Sequence, residues 1–199
     1  MKRFPLLMLV IVASALGLRQ SPAIGQQVLV IKPLAEKKVT ELPAGPLFWR
    51  LENFPGVASA QAAAGPTSLV AESRGRVWLL TLGPAGGASA GGTKVAEVGP
   101  IPRVAATQYL LRVNEASGPP GSITPVHSHP GSEAFYVLAG ESSSRAPHGV
   151  MRVAANEGAT GHGADTPMQV SSTGSADLQS LVMFVVDAAK PFSSPASFP

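Results

Sequence analysis

The 199-residue chain is expected to fold as one all-β domain, and three observations carry that expectation. First, its 21 glycines and 19 prolines fall between short β-prone runs, which is the punctuation of many strands joined by turns. Second, those runs follow one another closely and no long helical period interrupts them, as in a sandwich or barrel. Third, 45% of residues are apolar and 14% charged, a balance that supports a compact core rather than disorder. The chain has no cysteine, so the core must hold without disulfides, and thiolate chemistry and cysteine-based zinc sites are excluded.

Residues 1–25 read as a signal peptide. Lys2 and Arg3 precede an apolar run from Phe4 to Leu18, and Ala23-Ile24-Gly25 supplies small residues before a cut at Gln26. The run is shorter than the roughly 20 residues of a spanning helix, which disfavours an uncleaved anchor. The mature protein is therefore expected in the periplasm or secreted, with no membrane attachment after cleavage. Three of the 15 Lys+Arg lie in this segment and none of the 12 Asp+Glu, which leaves 12 of each. With no basic cluster in that neutral remainder, nucleic acid is not an expected partner.

Residues 26–46 read as an extended lead-in with a strand at Val28–Ile31, and 47–192 as the β-barrel domain. Leu47–Phe54, Leu69–Ala71 and Val77–Leu82 are expected strands, with a short Ala-rich helix over Val57–Ala64 and a flexible loop over Pro84–Gly92. Thr107–Asn114 alternates, with Tyr109, Leu111 and Val113 on one face and Gln108, Leu110, Arg112 and Asn114 on the other. Further strands are expected at Ile123–His129, Glu133–Ala139, Gly149–Ala154, Met168–Ser172 and Leu178–Asp187. The Pro/Ser-rich end, 193–199, reads as a loose tail.

Chemistry concentrates in one stretch, Gly121 to Gly140. His127 and His129 are two apart on a strand and project from one face. Pro130-Gly131 turns the chain and Glu133 opens the next strand, so its carboxylate is expected to come back toward both imidazoles. Two imidazoles and a carboxylate suit a divalent first-row metal with positions open for water or substrate. A bare His-x-His pair, by contrast, fits surface or satisfied core histidines equally well. Phe135 and Val137 share the Glu133 face and are expected to wall the site, with Tyr136 turned away.

The stretch resembles the first motif of the cupin superfamily, G-x5-H-x-H-x3-E-x6-G, at every specified position. The likeness covers Thr107 to about Phe192 and extends less surely back to Leu47. It implies a cupin-type antiparallel β-barrel (a double-stranded β-helix, or jelly roll) with an N-terminal extension and the site inside. Cupins bind Fe, Mn, Ni, Zn or Cu, and include enzymes on small organic molecules and non-catalytic binding proteins. His127, His129 and Glu133 are the metal ligands that the resemblance implies; which metal, and which residues if any are catalytic, stay open. The second cupin motif departs from the pattern, because Met168 stands where the family has a histidine. The fourth position is thus left to Met168, a soft ligand or core filler, or to His162 in the preceding Gly-rich loop. Gln108 and Arg112 are candidate pocket residues for an anionic ligand. Two functions remain, a metal-dependent cupin acting on a small organic molecule and a periplasmic small-molecule binding or sensing module. A homodimer is compatible with either.

Overall fold

The computed structural model describes residues 27–199; the signal segment 1–25 and the cut before Gln26 lie outside the described residues. The described residues build fourteen strands and one short helix. In chain order these are β1 Val30–Val39, β2 Leu47–Phe54, α1 Val57–Ala63, β3 Ser68–Ser73, β4 Arg76–Gly83, β5 Thr93–Ile101, β6 Tyr109–Gly118 and β7 His127–Ser128. There follow β8 Gly131–Ala139, β9 Glu141–Ala146, β10 Gly149–Ala154, β11 Gly158–Thr160, β12 Gln169–Ser172, β13 Leu178–Asp187 and β14 Ser194–Pro195. The fold is all-β and antiparallel throughout its named sheets, as the turn punctuation predicts.

A five-stranded sheet, ordered β1-β6-β13-β8-β11, forms the middle of the molecule. Side chains alternate across a strand, so each of its strands feeds two environments. One face packs on the four-stranded sheet β3-β4-β2-β5: Leu111, Val113, Ala134, Tyr136, Leu181 and Met183 meet Trp49, Leu51, Trp78 and Leu80 in one buried cluster. The other face looks toward the three-stranded sheet β10-β9-β12, where Phe135, Val137, Val182 and Phe184 meet Val153 and Val170. This second layer is the barrel interior and holds the site.

Tyr136 faces away from Glu133, as its odd spacing requires, and rests edge-on against Trp78 with ring centroids 6.4 Å apart. Trp49 and Trp78 are fully buried. Burying each large apolar side chain contributes about 1.5–3 kcal/mol, so the four-stranded sheet is an integral layer rather than an appendage.

Three expectations need correction. The lead-in is not separate: β1 is the edge strand of the central sheet, paired with β6 from Val30↔Ser117 to Val39↔Tyr109. Residues 47–101 do not share one barrel with 107–192, because β2 pairs with β4 and β5 to close their own sheet. The tail is not loose: β14 pairs with β7, placing Ser194 opposite Ser128 and Pro195 opposite His127. β9 was not foreseen either. Its Glu-Ser-Ser-Ser-Arg-Ala run carries no apolar alternation, and it becomes a strand because β10 and β12 satisfy its backbone from both sides.

Gly140, the last motif glycine, has φ +73°, and a Cβ there would lie 2.7 Å from the Asp177 carbonyl oxygen. Only glycine allows β8 to turn into β9 at so close an approach.

Candidate functional site

His127 sits on β7, His129 just beyond it, and Glu133 on β8. All three line one cavity of about 360 Å3, together with Asn114, Thr124, Phe135, Phe184 and Phe192 among others. The chain bends at Pro130 from β7 into β8, which belong to different sheets; Glu133 lines the same cavity as both histidines, and alternation along β8 sets Phe135 on that face too.

Each polar group is held by a different backbone partner. His127 donates from Nδ1 to the Pro125 carbonyl at 2.8 Å. His129 donates from Nδ1 to the Phe192 carbonyl at 2.7 Å. A carbonyl oxygen can only accept, so both Nδ1 atoms carry a proton, and each ring in its neutral form presents its lone pair at Nε2. The rings stand 5.0 Å apart, nearly perpendicular. His129 packs against both Phe184 and Phe192, each 4.8 Å away. Burial lowers its pKa to about 4, against the Phe192 carbonyl, which favours the protonated ring. It is neutral at pH 7.

Glu133 is buried, and burial pushes its carboxyl up to about 8 against the favourable backbone N–H of His162. Its Oε1 has no hydrogen-bond partner among the described residues. The 161–162 backbone closes over this carboxyl because residue 161 is glycine. A Cβ there would lie 2.4 Å from Glu133 Cγ and 2.9 Å from Oε1. Among the described residues no three His, Asp or Glu side chains lie as a ready-made metal cluster. The physical reason is that the three groups are tied to three separate backbone elements.

The remaining candidates scatter. Met168 faces His127 across a two-bond bridge (N···O 3.0 and 2.8 Å), but its side chain is fully buried and the cavity wall forms without it. His162 turns away from the cavity: its Nε2 meets Ser144 Oγ at 3.1 Å and its Nδ1 meets His148 Nε2 at 3.0 Å. Its backbone, not its ring, serves Glu133. Arg112 is on the expected face, donating to Asn114 Oδ1 at 2.9 Å and lying 4.3 Å over the Phe192 ring, behind that ring rather than in the cavity wall. Gln108 lies outside the site and borders a separate surface hollow with Lys38 and Thr67. Sequence reasoning missed Gly161 and Phe192. The first was hidden in a Gly-rich loop; no local pattern marks the second, 63 residues from its histidine partner.

No protein-family model and no curated protein sequence matches the chain. Solved structures that it resembles include a cupin superfamily protein from Desulfitobacterium hafniense, 13% identical with TM-score 0.35, the match covering 39% of this chain and 68% of that one. A cupin-like protein from Thermotoga maritima is 13% identical with TM-score 0.39, covering 44% and 65%. A DMSP lyase from Ruegeria pomeroyi is 21% identical with TM-score 0.37, covering 43% of each chain. These likenesses take in less than half of this chain and reach from 43% to 68% of the others' lengths. On its own strands the chain has an antiparallel β-fold, with the Gly121–Gly140 stretch running through β7 and β8 beside an interior cavity.

Proposed function

We propose that the cavity binds a divalent first-row metal through Nε2 of His127, Nε2 of His129 and the carboxylate of Glu133, and receives a small organic molecule on its apolar wall. The observation that carries this reading is the protonation pattern. Two imidazoles have Nδ1 engaged by backbone carbonyls, which leaves Nε2 of each for a ligand, beside a carboxyl whose Oε1 is buried and unpartnered. A buried acceptor without a partner costs about 1–3 kcal/mol, and a cation is the partner that also favours the ionised form. Two neutral nitrogens and one oxygen suit Zn, Fe, Mn, Ni or Cu. Such an ion supplies Lewis acidity to an oxygen of the organic ligand. Glu133 must turn from the His162 N–H toward the imidazoles to complete the set. Phe135, Phe184 and Phe192 exclude water from the ligand's body.

The test is metal analysis and equilibrium dialysis of the chain beginning at Gln26. One equivalent per chain, lost in His127→Ala, is expected; equal uptake by both proteins overturns the reading. The predominantly apolar lining, with Val170 and Val182 beside the phenylalanines, favours a second reading in which the cavity takes a small molecule without metal. Ligand retention that a chelator leaves unchanged would select it. We further propose export by the 1–25 segment, on its basic start, apolar run and Ala23-Ile24-Gly25. The mass of the exported protein should place its first residue near Gln26, and an intact Met1 would refute this.

A further inference from the structure

Residues 192–198 run along one side of the cavity, which Phe192, Ser193, Ser194 and Pro195 help to line. The even-numbered residues are half-buried and the odd-numbered ones exposed, the period of a strand laid on a surface. The segment is fastened at both ends by an aromatic ring under a guanidinium: Arg112 lies 4.3 Å from the Phe192 ring centroid and Arg145 lies 4.4 Å from that of Phe198. Between the clamps, Ser194 and Pro195 pair with β7, and the Ala196 N–H donates to the Val126 carbonyl at 3.2 Å.

Phe192 carries the chemical consequence. Its ring packs on Phe184 at 4.9 Å and on His129 at 4.8 Å, while its carbonyl accepts the His129 Nδ1–H. That hydrogen bond selects the ring tautomer that leaves Nε2 free. A hydrogen bond to the far nitrogen is the usual way in which a metal-binding histidine is oriented. Phe192, Ser193, Ser194 and Pro195 also form part of the cavity wall next to His127.

We propose that residues 192–198 are a strap that positions His129 through the Phe192 carbonyl and closes the cavity beside His127. In what it says of metal affinity this rests on the reading above; in what it says of the His129 tautomer it does not. Phe192 is here a positioning residue, acting through His129.

The experiment uses the chain beginning at Gln26, its variant lacking residues 192–199, and two milder variants, Ala196→Pro and Arg145→Ala. Ala196→Pro removes one backbone donor; Arg145→Ala removes the far clamp. Nitrogen-15 NMR of the imidazoles reads the His129 tautomer without metal, and cobalt(II) titration reads affinity. The wild type should show His129 as the Nδ1–H form alone. The deletion should release it to a mixture of tautomers and weaken cobalt binding by about 10–100-fold, the usual effect of losing an outer partner of a ligand. The milder variants should shift both readouts the same way, by a few-fold in affinity, and they decide the matter if the deleted chain does not fold. An unchanged His129 tautomer in the deletion, or in both milder variants, overturns the strap. Wild type that binds no cobalt but loses its tautomer preference on deletion overturns the metal reading and leaves the strap standing.

Discussion

Two buried glutamates, one in each half of the molecule, are handled in opposite ways. Glu52, on β2 in the four-stranded sheet, accepts the Ser89 N–H at 2.7 Å, the Ser89 hydroxyl at 2.8 Å and the Arg50 Nε–H at 3.0 Å. Burial alone would raise its pKa, but those bonds and the Arg50 charge outweigh burial and hold it below the ordinary 4.5. Glu133, on β8, receives one backbone N–H, keeps an unpartnered oxygen and is pushed up to about 8. Both are hidden from solvent, 0% and 2% exposed, but Glu133 lies deeper in the protein interior, so stronger desolvation and missing partners together separate the two. A carboxylate whose acceptor sites are filled by its own chain serves the fold; one left wanting is available to a ligand.

The sharpest way to break this comparison is metal uptake. Glu133→Gln should lose it, with affinity down at least about 10-fold, the lower end of what a disturbed metal site loses, while Glu52→Gln keeps it. Equilibrium dialysis with zinc that shows equal loss in both would erase the distinction. Stability should reverse the order. Glu52→Ala strands the Arg50 guanidinium and the Ser89 N–H and should cost about 2–3 kcal/mol in denaturant unfolding, whereas Glu133→Gln, which swaps a neutral buried acid for a neutral amide, should cost less than about 1 kcal/mol.

The pH profile of unfolding gives the third contrast. The Glu52 pKa is lower in the folded state than in the unfolded chain. Its contribution is therefore present above about 4.5 and lost as pH falls through its folded value. Glu133 has the opposite sign. In chelator-treated protein the folded state holds a proton that the unfolded chain releases, so stability declines as pH rises from about 4.5 to about 8. Glu133→Gln should flatten that decline and Glu52→Gln should not. The smallest effect is expected at Met168. Because its side chain is buried outside the cavity wall, Met168→His should leave zinc uptake unchanged, and stronger uptake would return position 168 to the ligand set.

Much of this arrangement was legible in particular residues. The alternation of Glu133, Ala134, Phe135, Tyr136 and Val137 placed the odd-numbered residues on the site face and Tyr136 on the other. The bounds of β2, β10 and β13 agree with the apolar runs read from the sequence. What escaped was set by distant chain. β9 is a run of serines whose strand state comes from its two neighbours, and the 193–199 segment is polar and proline-rich until β7 offers it a backbone to pair with.

The sequence by itself determined which side chains share a face and that His127, His129 and Glu133 lie within seven residues of one another around Pro130, because strand alternation and chain spacing are properties of the local backbone. Only the tertiary structure decided what each group then encounters. Trp78 lies under Tyr136, Gly161 lies over Glu133, and the Phe192 carbonyl, from 63 residues away, selects the tautomer of His129. Partners and burial set proton positions and pKa values, and both are supplied by chain remote in sequence, which no local pattern encodes.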